Sequence, residues 1–282
     1  FPTNPGSPDL DNLTYCRDRY TVYPCADAFI ARLNATGSGL VSSTFLGGDG
    51  DDFARALALD SAGRAVLAGD TFSANFPVTP DAYDRAGGLD RDAFVAVARR
   101  DGRLDYATYL GGQHAAGDGW YEGDKALALH VAADGRITVA GETWSTDFPT
   151  TSAAYDRTRN GGACETDWYQ EMGECPDAFL VQFQPGGALG FATLFGGAGD
   201  RFAEGGYEAA TAVQLDAGGA VVVAGYTGAA DFPTTPVAYA AAPLTTLETF
   251  IARFDAAGRS LQYGSYLNSA SGSSAVSLAA GP

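Results

Sequence analysis

The sequence predicts an all-β protein: a β-propeller of four-stranded antiparallel blades, with about four repeats and one blade incomplete. Three observations carry this. One unit of four short β-like segments recurs along the chain. Its segments are joined by hairpin-turn residues, with glycine at the positions that need positive φ. No stretch sustains a helical period of 3.6.

The units align on Asp-Ala-Phe: "DAFIARLNATG" from Asp27, "DAFVAVARRDG" from Asp92, "DAFLVQFQPGG" from Asp177 and "ETFIARFDAAG" from Glu248. A second apolar segment follows each: "LVSSTFLGG", "LDYATYLGG", "LGFATLFGG" and "LQYGSYLN". Next come "ARALALDSAGR", "ALALHVAADGR", "ATAVQLDAGG" and "SSAVSLAAG", then "AVLAGDT", "ITVAGET" and "VVVAGYT". Each segment is strand-sized and rich in β-formers. Repetition of such units is the mark of a propeller blade. A β-sandwich is the runner-up, and it leaves the regular four-strand unit unexplained.

The stretch "TFLGGDGDDFARALALDSAGRAVLAGDTFSANFPVTPDAYD" resembles the bacterial SBBP (seven-bladed β-propeller) repeat. That repeat reads roughly Tyr-Leu-Gly-Gly, Gly-Asp-Asp, an apolar strand with Asp-x-x-Gly, then Gly-x-Thr and Phe-Pro-Thr. The resemblance covers nearly the whole chain, in three good copies and one cut copy. It implies a propeller from a bacterial surface or secreted protein, and it brings no shared catalytic motif.

By analogy with other propellers, the segment "ALALD" is innermost (A), followed outward by "AVLAGDT" (B), "DAFIARL" (C) and "STFLGG" (D). Residues 1–282 then form one domain with complete blades at 54–110, 126–195 and 210–267, and a closing blade from 27–46 plus 273–280. The chain opens on Phe1-Pro2-Thr3, the phrase that follows strand B in later copies. The closing blade is therefore expected to lack its B strand, supplied from beyond these termini or by a neighbouring molecule through strand addition. The A–B and C–D turns fall on one face. The variable B–C and D–A connections fall on the other, where binding residues usually reside.

The net charge of −17, with a single lysine (Lys125), repels phosphate backbones and speaks against nucleic acid. No apolar run reaches the roughly 20 residues that span a bilayer, so no membrane insertion is expected. Cys25 and Cys175 stand two residues before equivalent aspartates, with Cys16 and Cys164 upstream of them. Local disulfides 16–25 and 164–175 follow, each stapling a long B–C loop. A zinc site is the alternative. Disulfides imply an oxidising compartment, hence extracellular or cell-surface localisation.

The D–A loops carry Asp49, Asp51, Asp52, Asp118, Glu122, Asp124, Asp200 and Glu204. They read either as calcium ligands on Gly-rich loops or as turn residues that cap backbone amides; no other cofactor is expected. Trp120, Tyr121, Trp144, Trp168, Tyr169, Tyr226 and His114 fall in or beside loops of the same face. They either stack on a ligand or cover the blade tops. His130 aligns with the turn aspartates Asp60 and Asp216. Phe76, Phe148 and Phe232 of Phe-Pro-x-Thr read as packing anchors, with Tyr83, Tyr155 and Tyr239 as second anchors. The function expected is non-enzymatic: an extracellular scaffold that binds a protein or glycan, or self-assembles by strand complementation. The alternatives are a calcium-dependent carbohydrate-binding module and a polysaccharide hydrolase or lyase using acidic loop residues.

Overall fold

A computed structural model of the chain describes residues 14–17, 21–88, 91–112, 123–161, 163–165, 172–198, 207–268 and 277–279. Among them, every regular element is a β-strand and all ladders are antiparallel. A short hairpin, β1 (Tyr15–Arg17) and β2 (Val22–Pro24), precedes a two-stranded sheet of β3 (Ala28–Leu33) and β4 (Leu40–Leu46). Sheet one is β5 (Asp52–Leu59), β6 (Ala65–Thr71), β7 (Asp92–Ala98) and β8 (Leu104–Leu110), paired in that order. Sheet two starts with β9 (Lys125–Val131) and β10 (Ile137–Thr143). A hairpin of β11 (Ala163–Glu165) and β12 (Met172–Glu174) interrupts it before β13 (Asp177–Phe183) and β14 (Leu189–Phe195) complete it. Sheet three is β15 (Glu208–Leu215), β16 (Val221–Thr227), β17 (Glu248–Phe254) and β18 (Leu261–Leu267). The sheets are open, and β3–β4 remains two-stranded among the described residues. Residues 277–279 of the expected last strand belong to no strand; its other residues, and Phe1-Pro2-Thr3, lie outside the described residues.

The apolar alternation of each strand builds a core on both faces of a sheet. One core lies between β3–β4 and sheet one, and includes Ala28, Leu46, Phe94 and Ala107. Another lies between sheets one and two, around Val66, Val95, Val139 and Phe179. The last lies between sheets two and three, around Leu180, Phe195, Phe250 and Phe254. Successive sheets therefore pack face to face, and β6, β7, β10 and β13 are buried at every position.

The repeated phrases now have physical reasons. In Gly-x-Thr, Gly69, Gly141 and Gly225 each face a bulge in the first strand, where Arg55, Leu127 and Thr211 are the extra residues. A Cβ at Gly141 would lie within 3.0 Å of the Lys125 carbonyl and the Phe179 ring. Gly141→Ala is expected to destabilise by on the order of 3 kcal/mol, read as a lower thermal midpoint; an unchanged midpoint would show that the bulge yields freely. In Phe-Pro-x-Thr, Phe76, Phe148 and Phe232 pack on Phe94, Phe179 and Phe250 of their own sheets at 4.6, 4.7 and 4.5 Å, the last two pairs stacked and the first tilted. The Thr79, Thr151 and Thr235 amides donate to Ala107, Ala192 and Gly264 carbonyls on the fourth strands, each at 3.0 Å. The B–C connection thus covers the outer edge of its own sheet, an edge that would otherwise invite strand pairing.

The turns use Asp-x-x-Gly as expected. Asp60 Oδ1 accepts from the Ala62 and Arg64 amides, and Gly63 takes a φ of +73°. His130 departs from the expectation. The turn position of Asp60 and Asp216 belongs to Ala132, whose amide makes the equivalent bond. His130 lies two residues earlier in β9, opposite Thr138. Burial lowers its pKa against a hydrogen bond with Gln214 of sheet three.

The Cys16–Cys25 disulfide is present, which indicates an oxidising compartment. Cys175 is also disulfide-bonded. The Cys164 side chain lies outside the described residues, and its backbone pairs with Gly173 in the β11–β12 hairpin. Among the described residues no helix is long and apolar enough to cross a membrane.

Candidate functional site

Two acidic systems organise the face of the B–C and D–A connections. The first recurs at every sheet junction. A carboxylate at the start of the third strand (Asp27, Asp92, Asp177) meets one at the start of the next unit (Asp52, Asp124, Glu208). Both approach the first glycine of Gly-Gly. A Cβ at Gly47, Gly111 or Gly196 would touch both members of the pair. The second glycine supplies a backbone donor: the Gly48, Gly112 and Gly197 amides donate to Asp52, Asp124 and Glu208 at 2.8, 2.9 and 2.8 Å. Ser73 and Ser145 hydroxyls add bonds of 2.7 and 2.8 Å, and the Thr227 hydroxyl one of 2.9 Å.

Asp52, Asp124, Asp177 and Glu208 are all buried. Desolvation pushes the carboxyls of Asp52, Asp124 and Asp177 up to about 6. Burial, then the neighbouring Asp177, raises Glu208 well above the ordinary glutamate value. At this third junction, Glu208 Oε2 and Asp177 Oδ1 both face the point above Gly196. Neither oxygen has a hydrogen-bond partner among the described residues.

The second system lies at the ends of the second strands. The variable residue of Gly-x-Thr is Asp70, Glu142 or Tyr226 in the three sheets. Asp70 is fully buried and bonded to Arg55 Nε at 2.6 Å, with Arg91 Nε 3.4 Å away. Arg55 reaches Asp70 because it is the bulge residue of β5. Arg91 also lies over the Phe72 ring at 4.3 Å. Lys125 pairs with Glu142. Glu142 in turn bonds Tyr226, whose pKa burial and this neighbour both raise. Arg55 and Arg91 feel Glu142 electrostatically, so one charged cluster joins all three sheets.

The expected site residues separate on this frame. Trp144 is 3% exposed and packs edge-on to Tyr207 at 5.6 Å, so it is a packing residue and presents no stacking surface. Tyr226 is part of the cluster. Trp120, Tyr121, Trp168, Tyr169 and His114 lie outside the described residues, as do Asp118, Glu122, Asp200 and Glu204. Asp52 and Asp124 are equivalent positions at different junctions and are not brought together. Asp51 accepts from the Ala26 amide at 2.7 Å and the Tyr23 hydroxyl at 2.9 Å, which fastens the disulfide segment to the loop. Asp49 is exposed, and its amide donates to Asn75 at 2.8 Å. Among the described residues, no three His, Cys, Asp or Glu side chains gather as metal ligands. Between sheets one and two lies a cavity of about 290 Å³ lined by Asp84, Asp92, Asp147, Gly88 and Gly112.

No protein-family model matches the chain, and no curated protein matches it in sequence. No motif marks Asp70, Glu142, Arg55, Arg91 and Lys125 as a site. Their only sequence signals are the changing residue inside an otherwise repeated Gly-x-Thr and the position of the single lysine. Such a cluster offers donors, acceptors and a phenol in fixed positions, which suits recognition of a polar ligand.

Proposed function

We propose that the chain is an SBBP-type β-propeller scaffold, extracellular or on a cell surface. In this reading it acts by binding a protein or glycan through the face of its B–C and D–A connections. The supporting observation is a division of labour within the repeat. Residues common to the units, such as Gly-Gly, Gly-x-Thr and the junction carboxylates, are committed to packing and backbone bonds. Residues that change from unit to unit, Asp70, Glu142 and Tyr226, converge in one cluster. Asp70 and Glu142 are themselves buried, so in this reading they orient the more accessible Lys125, Arg55 and Tyr226 toward a ligand. A fixed frame with a changeable cluster is the design of a recognition module. A glycan array and a pull-down against surface extracts test it. Binding without turnover is expected, weakened by Glu142→Gln and Tyr226→Phe; release of shortened polysaccharide would overturn the non-enzymatic reading.

A calcium-dependent form of this reading is favoured by one observation, the two buried oxygens facing each other above Gly196. A cation there would neutralise the pair. Binding that disappears with EDTA and returns with calcium would select this form.

A further inference from the structure

The contacts between successive sheets follow a template, and its two halves stand open at opposite ends of the sheet array. The template has an aromatic arm and an aromatic shelf. Tyr83, on the B–C connection of sheet one, packs edge-on against Phe183 at the end of β13, 5.9 Å between centroids. Tyr155, its equivalent in sheet two, packs against Phe254 at the end of β17 at 5.5 Å. On the fourth strands, the Tyr106 hydroxyl donates to the Gly187 carbonyl at 3.0 Å, and the Tyr106 ring lies against Gly187. Phe191, the equivalent of Tyr106, lies against Gly258 in the same way. Each sheet thus grips the third strand of the next and the turn that follows it.

In sheet three the arm is Tyr239 and the shelf is Tyr263. Tyr239 is 77% exposed, against 38% for Tyr83 and 36% for Tyr155. Its amide donates to the Tyr263 hydroxyl at 3.2 Å, just as the Tyr83 amide donates to Tyr106. The backbone of the arm is therefore held as it is at the engaged Tyr83; at Tyr155, whose shelf is a phenylalanine, the amide donates to the Gly258 carbonyl of the next sheet at 3.0 Å instead. The receiving positions are equally open at the other end. Leu33 ends β3, where Phe183 and Phe254 end β13 and β17, and it is 58% exposed. Gly37 occupies the turn position of Gly187 and Gly258, has a φ of +69°, and would meet nothing within 4 Å. Glycine at this place leaves room for a ring to lie flat on the turn.

We infer that a second copy of this chain docks head to tail, with Tyr239 and Tyr263 of one copy on Leu33 and Gly37 of the other. The occupant follows from continuity: the surface that receives the arm twice within the chain is the surface presented by β3 and its turn. Because the donor and acceptor patches differ, the contact is heterologous and can continue into a ring or a short filament. This inference goes beyond the recognition reading and does not use the loop-face cluster. The net charge of −17 opposes close approach of two copies, so association should strengthen as salt is added.

Sedimentation velocity across low-micromolar to submillimolar protein tests it. Concentration-dependent association is expected, weakened at least about tenfold by Tyr239→Asp or by Leu33→Asp. Both residues are exposed, so each variant should keep the wild-type thermal midpoint. Mixing the two variants provides the decisive arm, since each retains one intact end: a 1:1 dimer that does not grow further is expected. A wild-type chain that stays monomeric at every concentration overturns the inference. So does association that either variant leaves unchanged. A fall in midpoint of both variants as monomers would mean that the arm docks on its own chain, which also overturns it. Ligand binding at the Glu142 cluster should be the same in all these variants, so failure here is distinguishable from failure of the recognition reading.

Discussion

Asp70→Asn is expected to lower the thermal midpoint by roughly 10 °C. The carboxylate is fully buried between Arg55 and Arg91, and the Arg91 side chain is only 10% exposed. Removing one partner of a buried ion pair leaves an uncompensated charge and costs about 3–5 kcal/mol. In a domain of this size each kcal/mol moves the midpoint by roughly 2–4 °C. Arg55 is 39% exposed and can turn toward water; Arg91 is held by the Phe72 ring and cannot. The double variant Asp70→Asn with Arg91→Met should therefore recover most of the loss, because an apolar side chain of similar length removes the stranded charge. Calorimetry of the single and double variants checks this. A single variant within a degree or two of wild type would mean that solvent already reaches Arg91.

Glu208→Gln should have the opposite effect at neutral pH, raising stability by about 2 kcal/mol. The carboxamide oxygen keeps the bonds from the Gly197 amide and the Thr227 hydroxyl. The new amide group faces Asp177 Oδ1 across Gly196 and donates where two acceptors met. The same physics sets the pH dependence of the wild type. Asp52, Asp124 and Asp177 bind their protons more tightly folded than unfolded, with values of about 6 against an ordinary 3.8. Their contribution is complete below the unfolded value and is lost as pH rises through about 6. Each is worth about 3 kcal/mol across that window. Glu208 extends the loss to higher pH. The thermal midpoint should accordingly rise when pH falls from 8 to 5, and the Gln variant should show a smaller rise. If calcium occupies the pair instead, Glu208→Gln should lose stability in calcium and gain it in EDTA.

The legible part of this molecule is what its repeats dictate. The antiparallel units, the Asp-x-x-Gly turns, the Cys16–Cys25 disulfide and the packing role of Phe76, Phe148 and Phe232 follow from local periodicity and turn chemistry. Each depends on residues close in sequence, and the units, the turns and the phenylalanines recur along the chain. His130 marks where local periodicity is not enough. An alignment of short strands leaves register open by a residue or two, and hydrogen bonding at Ala132 fixed it. For Trp144 the sequence leaves open whether it stacks on a ligand or covers the blade top; its burial against Tyr207 decides for packing and depends on a residue far along the chain.

By itself, then, the sequence determined the strand units, their turns and the chemistry of the repeated phrases, because these are set by near neighbours and by backbone conformation. The tertiary structure decided which carboxylates meet. Asp177 and Glu208 belong to different units and face each other only because successive sheets pack through their third and first strands. It also decided that Asp70, Glu142 and Tyr226 share one cluster, and that Tyr239 and Leu33 stand uncovered while their equivalents are engaged. Those outcomes depend on which sheet lies against which, a property of the assembled array that no single repeat contains.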